Sequence, residues 1–135
     1  MGIWSSSLYG NDTTCDVRDT YIGFLEKQLS SLDAYEKTLE ICHDYMSDLD
    51  EAPLFWLALA ETQWKVGRLI PEVKANALEW ISRDGGLKLW EEDTKGSTGW
   101  KKTLEKLRIK LETEQPKKKR FLKKNHPVSK PMGIK

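Results

Sequence analysis

Apolar residues recur at helical spacing along nearly the whole chain. From Thr13 to about Leu29, Val17, Tyr21, Phe24, Leu25 and Leu29 fall on one stripe, while Asp16, Asp19, Glu26 and Lys27 lie mostly away from it. Asn11, Asp12 and Thr13 stand ahead of this run as cap-type residues. Asp12 or Thr13 is expected to cap the helix, with acids in its first turns favouring the positive end of the dipole. SSLD (30–33) interrupts the pattern and can cap a second helix reaching about Ser47. Tyr35, Leu39, Cys42 and Met46 line one side of it, widened by Thr38, Ile41 and Tyr45.

The segment DLDEAPLFWLALAETQWKVGRL (48–69) carries the strongest local signal. Asp50 or Glu51 precedes the helix, Pro53 suits its first turn and Gly67 is placed to end it. Leu54, Phe55, Trp56, Leu57, Leu59 and Ala60 are apolar almost all round, the mark of a central, buried helix that places both Trp56 and Trp64 on or near the buried side. A further helix from Pro71 to about Arg83 turns Val73, Ala77, Leu78, Trp80 and Ile81 inward, and Asp84-Gly85-Gly86 stops it. LKLWEED (87–93) adds a short helical turn, and KGSTG (95–99) reads as a loop. Thr98 then caps a last helix over 100–115 built on Trp100, Leu104, Leu107 and Leu111. No alternating stretch flanked by hairpin turns occurs, so no sheet is expected.

The expected fold is all-α: a helical domain over 1–115 forming a compact bundle of about five helices, then an extended or disordered basic tail over 116–135. On that expectation the body folds without the tail. Trp56, Leu59, Ala60 and Gly67, followed by Ala75 and Ala77, resemble one tetratricopeptide-type helix hairpin at the centre of the bundle, without a second copy at the 34-residue period of such repeats.

Charge changes the picture. The 135 residues hold 22 basic and 21 acidic side chains, yet eight bases and no acid fall in 117–135, and residues 1–64 hold twelve acids against Arg18, Lys27 and Lys37. An acidic body thus carries a basic tail behind a net charge of +1. Two surfaces follow as candidates. Asp33, Glu36, Glu40, Asp44, Asp48, Asp50 and Glu51 run along the second helix and the loop after it, an acidic face suited to a cationic partner. Lys117, Lys118, Lys119, Arg120, Lys123 and Lys124 could contact phosphates in a salt-sensitive, sequence-independent way, although the acidic body opposes this.

Other chemistry finds little support. Met1-Gly2 with Ser6 fits the myristoylation pattern, but these residues are common and one acyl chain holds only marginally. Ile3, Trp4, Leu8 and Tyr9 read better as an apolar lead-in that folds onto the bundle. Asp12, Asp16 and Asp19 lack the glycine-containing loop of a calcium site, so no metal or cofactor is expected. His43 and His126 join no ligand cluster or triad, and adjacent Cys42 and His43 point about 100° apart on a helix. Glu61 and Gln63 form a candidate buried polar pair or solvent edge, which is no mechanism by itself. Catalysis is therefore not expected. Cys15 and Cys42 follow no metal or redox spacing and read as buried thiols in a reduced compartment. The N-terminus lacks a secretory signal, and the longest apolar run, Leu54 to Ala60, falls far below the ~20 residues that span a bilayer. A soluble, cytoplasmic protein without membrane contact is expected.

MGIW at the start, NDTTCDVRDTY (11–21), PLFWLALAETQWKVGRL (53–69) and VKANALEWI (73–81) together resemble a domain of unknown function found in small proteins of Gram-positive bacteria. The resemblance covers about residues 1–115, with PLFWLALAETQW its most specific part. Members often open Trp-Gly-X-Gly, whereas Trp4 is followed here by Ser5, Ser6 and Ser7. Longer relatives continue, after a lysine-rich linker, into a β-rich module similar to polymorphic-toxin immunity proteins, and this chain ends where that module would begin. The resemblance implies a helical adaptor or immunity-type domain and brings no catalytic residues. The leading expectation is thus a non-enzymatic antitoxin masking a basic toxin through the acidic face. The alternative is a nucleic-acid-associated protein acting through its tail.

Overall fold

The computed structural model describes residues 5–90 and 93–121. Six α-helices occur among them: α1 (Asp12–Glu26), α2 (Ser31–Ile41), α3 (His43–Ser47), α4 (Ala52–Lys65), α5 (Pro71–Ser82) and α6 (Thr94–Glu112). A turn of 3-10 helix covers Leu87–Trp90, and no strand is present among the described residues. The architecture is a compact all-α bundle, as the periodicity predicts.

Helix α4 lies at its centre, packed against α1, α3, α5 and α6. Pro53 sits in its first turn, and Gly67, at φ +68°, turns the chain away after Lys65. Every residue of α4 from Ala52 to Gln63 except Trp56 is buried. Leu54, Leu57 and Leu59 lose all contact with solvent, each contributing ~1.5–3 kcal/mol. Trp56 is only half-buried and stands edge-on to Phe55, centroids 5.0 Å apart. The α1 stripe supplies Val17, Tyr21 and Leu25 to the same core, and α6 supplies Trp100, Leu104, Leu107 and Leu111.

Element ends depart from the sequence expectation for identifiable reasons. Asn11, rather than Asp12 or Thr13, caps α1, its Oδ1 accepting from the Thr14 amide (2.8 Å) and the Thr14 hydroxyl (3.0 Å). The same helix stops at Glu26, where Gln28 adopts a left-handed φ of 72° and the Leu29 amide returns to the Phe24 carbonyl. The expected single helix to Ser47 divides at Cys42, which re-aims Tyr45 so that its hydroxyl donates to Asp16 Oδ2 on α1 (2.7 Å).

The largest difference is at α6, which starts six residues before Trp100 on an Asp93 cap, Oδ1 accepting from the Gly96 amide (2.9 Å). KGSTG is therefore helix, not loop. Gly96 is there because a Cβ would overlap the Trp90 ring, so the glycine serves close packing rather than a turn. One turn further, the Trp100 indole N–H donates to the Gly85 carbonyl (2.8 Å) and ties α6 to the turn after α5.

Residues 113–121, after α6, are extended and do not leave the body at Pro116; the rest of the expected tail lies outside the described residues. Residues 113–121 form a strap across the α4–α5 turn. Trp64 Nε1 donates to the Thr113 carbonyl (3.1 Å), the Leu69 amide to Gln115 Oε1 (2.9 Å) and the Lys119 amide to the Val66 carbonyl (2.8 Å). Arg68 locks the crossing: Nη2 donates to the Lys119 carbonyl (2.9 Å), Nη1 to Ser31 Oγ (2.8 Å), and the guanidinium lies 5.7 Å from the Phe121 ring centre. Gln28 Nε2 completes it by donating to the Phe121 carbonyl (2.6 Å).

Truncation after Gln115 should accordingly lower stability by about 1–2 kcal/mol, since four strap hydrogen bonds are lost, two of them sharing the Lys119 carbonyl, at ~0.5–1.5 kcal/mol each against the chain entropy regained. An unchanged urea midpoint would show that the strap contributes nothing. The helical glycines supply a second measurement. Around Gly23 nothing lies within 4 Å of an added Cβ, so Gly23→Ala should stabilise by up to ~1 kcal/mol. Gly96→Ala gains the same propensity but must displace Trp90, so it should destabilise by ~1–3 kcal/mol. Equal midpoints for the two variants would refute the packing account of Gly96.

Candidate functional site

The acidic face begins at Ser30, whose Oγ accepts from the Asp33 amide (3.1 Å) and starts α2. Because Ala34, Tyr35 and Thr38 are buried, helical geometry turns Asp33, Glu36 and Glu40 outward, and all three are exposed. Past the break at Cys42, Asp44 continues the row on α3. Among the described residues, their close ion-pair neighbours are exposed: Lys37 lies 4.0 Å from Glu40, and the His43 imidazole lies 4.0 Å from Asp44. Such pairs contribute little and leave the field of the face largely intact.

The other three predicted residues have structural duties. Asp48 Oδ1 accepts from the amides of Asp50 (2.8 Å) and Glu51 (3.2 Å), shaping the approach to α4. Asp50 pairs with Lys88 (3.6 Å). Glu51 is half-buried and accepts from the Thr13 hydroxyl (2.9 Å), joining the start of α4 to α1. The seven acids thus separate into a surface row of four, an exposed ion pair at Asp50, and two, Asp48 and Glu51, that fasten the approach to α4.

Ile41 belongs to the surface row although its spacing placed it on the apolar side. The helix ends there, and Ile41 is left 66% exposed between Glu40 and Asp44. Beside it, a cleft of about 280 Å3 opens between α1 and α3, lined by Asp16, Thr20, Ile41, Cys42, Asp44 and Tyr45. The Tyr45 hydroxyl is held protonated well above the usual phenol range, chiefly by its hydrogen bond to Asp16.

A buried polar node lies on the far side of α4. Glu61, 5% exposed, accepts from the Tyr9 hydroxyl at Oε1 (2.7 Å) and from Lys110 Nζ at Oε2 (2.8 Å). Burial, and then the Glu61 charge, push the Tyr9 hydroxyl far above its ordinary pKa. Glu61 and Gln63 do not pair, because residues two apart on a helix do not face each other. Gln63 Oε1 instead accepts from the Ile70 amide (3.1 Å), while its Nε2 and the Tyr21 hydroxyl have no hydrogen-bond partner among the described residues. The node closes one wall of a cleft of about 300 Å3 whose lining includes Leu8, Tyr9, Lys65, Thr103, Lys106 and Lys110.

Of the predicted basic residues, Lys117, Lys118, Lys119 and Arg120 are exposed on the strap, and Lys123 and Lys124 lie outside the described residues. His126, Ile3 and Trp4 also lie outside them, whereas Leu8 and Tyr9 do pack on the core. Asp16 is engaged by Tyr45, and Asp19 pairs with Arg18 (3.0 Å). No group of three metal-ligating side chains forms among the described residues. Cys15, half-buried, and Cys42, buried, are both thiols, and burial raises the pKa of Cys42. No described helix is long and apolar enough to cross a membrane. Comparison with protein-family models, with curated proteins and with solved structures finds no match.

The two buried tyrosines make different predictions. Tyr9→Phe removes a donor from a buried carboxylate and should cost ~1.5–3 kcal/mol. Tyr21→Phe removes a buried hydroxyl that makes no well-formed hydrogen bond, with Gln63 and Ser31 as its nearest polar neighbours, and should cost less than ~1 kcal/mol. Burial pushes the Tyr21 hydroxyl up to about 12, from about 10 in the unfolded chain, so the folded state holds this proton more tightly. Its contribution is complete below about pH 10 and is lost as pH climbs towards about 12. Denaturation midpoints across this window should fall less steeply for Tyr21→Phe than for the parent. An identical slope would remove Tyr21 from the alkaline transition.

Proposed function

We propose that the protein is a non-enzymatic binding domain that receives a cationic protein on the α2–α3 face. The observation that carries this reading is Ile41, an exposed aliphatic side chain set between Glu40 and Asp44 and bordering a cleft. The break after α2 leaves it facing water, away from the core and between two carboxylates. An apolar anchor ringed by charge is the anatomy of a recognition surface: the anchor supplies desolvation energy, and the carboxylates steer and orient. Glu36 and Asp33 extend the field one turn towards the start of α2.

An immunity-type role, masking a basic toxin, fits this chemistry and the family resemblance of the NDTTCDVRDTY and PLFWLALAETQW segments. Nucleases are often basic because they bind phosphate, so a carboxylate row can occupy the surface their substrate needs. The Glu36, Glu40 and Asp44 side chains take no part in buried hydrogen bonds of the fold. Their replacement therefore tests binding without testing folding.

In affinity capture from the source cells, with captured proteins identified by mass, the wild-type domain should retain a basic protein. Glu36→Lys/Glu40→Lys/Asp44→Lys should reduce its association rate by tenfold or more and flatten its salt dependence. Ile41→Ser should act mainly on dissociation. Circular dichroism should be unchanged in both variants. Retention of the same protein by the triple reversal at the parental rate would overturn the acidic-face assignment.

A further inference from the structure

The basic residues of this protein are not confined to its tail. Helix α6 holds six bases and two acids, and it packs on α4, α5 and the 3-10 turn, whereas the acidic α2 and α3 pack on α1 and α4. The central helix stands between the two charge types. Lys106 and Lys110, one turn apart on α6, face Lys65 across the cleft of about 300 Å3. Lys65 is followed by Val66, whose carbonyl receives the Lys119 amide, and Gly67 lies directly against the backbone of Pro116 and Lys117. The cleft and the strap are therefore one surface.

Few carboxylates intrude on it. Glu61 is buried and matched by Lys110, Glu112 is taken by Arg108 (2.6 Å), and Glu114 is exposed at the start of the strap. Lys65 and Lys106 form no ion pair among the described residues. The strap backbone is held by Val66, Arg68 and Gln28, so the side chains of 117–120 project from a fixed track. Ordering that track has already been met by folding, which lowers the entropy cost of binding.

We infer that this band, from Lys106 through Lys65 to the strap cations, is a binding surface for the phosphate backbone of a nucleic acid. It is separate from the acidic face and independent of what that face binds. Around the Lys65–Lys106 cleft the acidic body offers phosphate little opposition, because Glu61 is buried and paired there and no acid of α2 or α3 lines it. The ring of Phe121 is covered by Arg68 and Lys119, so no stacking platform is offered. Recognition is of phosphates and not of base sequence.

The test is fluorescence anisotropy with the full chain and labelled oligonucleotides of about 12 units, one single-stranded and one duplex. Affinity should fall roughly fifty-fold between 50 and 200 mM salt on the single strand, the slope of about four phosphate contacts, and base sequence should not matter. Lys65→Gln/Lys106→Gln, which leaves the strap untouched, should weaken binding about tenfold and reduce the slope by about 1.4. Lys37→Gln/Lys88→Gln carries the same charge change away from the band and should retain nearly parental binding. Comparison of the two probes decides whether the track takes a single strand or a duplex. Absence of binding at the lower salt overturns the proposal, as does an equal loss in both double variants. Poly-glutamate bound as tightly as either oligonucleotide would overturn the nucleic-acid assignment. Parental binding by Lys65→Gln/Lys106→Gln would confine the activity to the tail and refute the band.

Discussion

A helix without a solvent face organises this molecule. Apart from Trp56, α4 is buried from Ala52 to Gln63, so apolar partners are required on every side, and α1, α3, α5 and α6 supply them. Within that helix Glu61 imposes the sharpest condition. A carboxylate taken from water costs several kcal/mol unless its oxygens are matched, and the matching groups arrive from distant parts of the chain. Tyr9 comes from the lead-in segment and Lys110 from the last helix. Replacing such a node with apolar groups can leave stability unchanged, but losing one partner strands the charge. Glu61 thus acts as a register mark: it is satisfied only when both chain ends sit at their proper heights on α4.

The same logic extends to the strap. Its contacts are hydrogen bonds from side chains to backbone carbonyls or from backbone amides, made by Trp64, Leu69, Arg68 and Gln28. Arg68 is the junction, since one guanidinium reaches the strap, the start of α2 and the Phe121 ring. A planar five-donor group suits this position better than an ammonium would. The central helix, the α1–α2 turn and the end of α6 are joined there by one residue.

Helical periodicity made α4 legible in the sequence, because an all-round apolar run of that length bounded by Pro53 and Gly67 has one reading. It also gave the inward stripes of α1, α5 and α6. It could not give the start of α6, since glycines that signal a loop by composition can also serve close packing, and the difference depends on Trp90 lying over Gly96. Nor could it reveal the strap, which has no apolar period and is held by partners 46 to 93 residues away. Four of the seven acidic site residues were identifiable as surface from their spacing. Asp48 took another role because a loop leading into a helix needs acceptors for its exposed amides, while Asp50 and Glu51 met partners distant in sequence, Lys88 and Thr13. Ile41 escaped notice because the stripe was extended through a helix break that only Cys42 geometry discloses.

A net charge of +1 conceals an acidic row on α2 and α3 and a basic band along α6 and the strap. Near neutrality, little long-range attraction acts on the whole protein, and what remains is dipolar and orients rather than gathers. At physiological ionic strength the screening length is about 8 Å, less than the roughly 10–12 Å width of a helix with its side chains. A partner approaching α2–α3 therefore feels Glu36, Glu40 and Asp44 with little cancellation from Lys65 and Lys106 beyond α4. What separates the two charge types is the electrolyte around the exposed side chains, and the apolar core acts only by fixing which side chains reach that electrolyte.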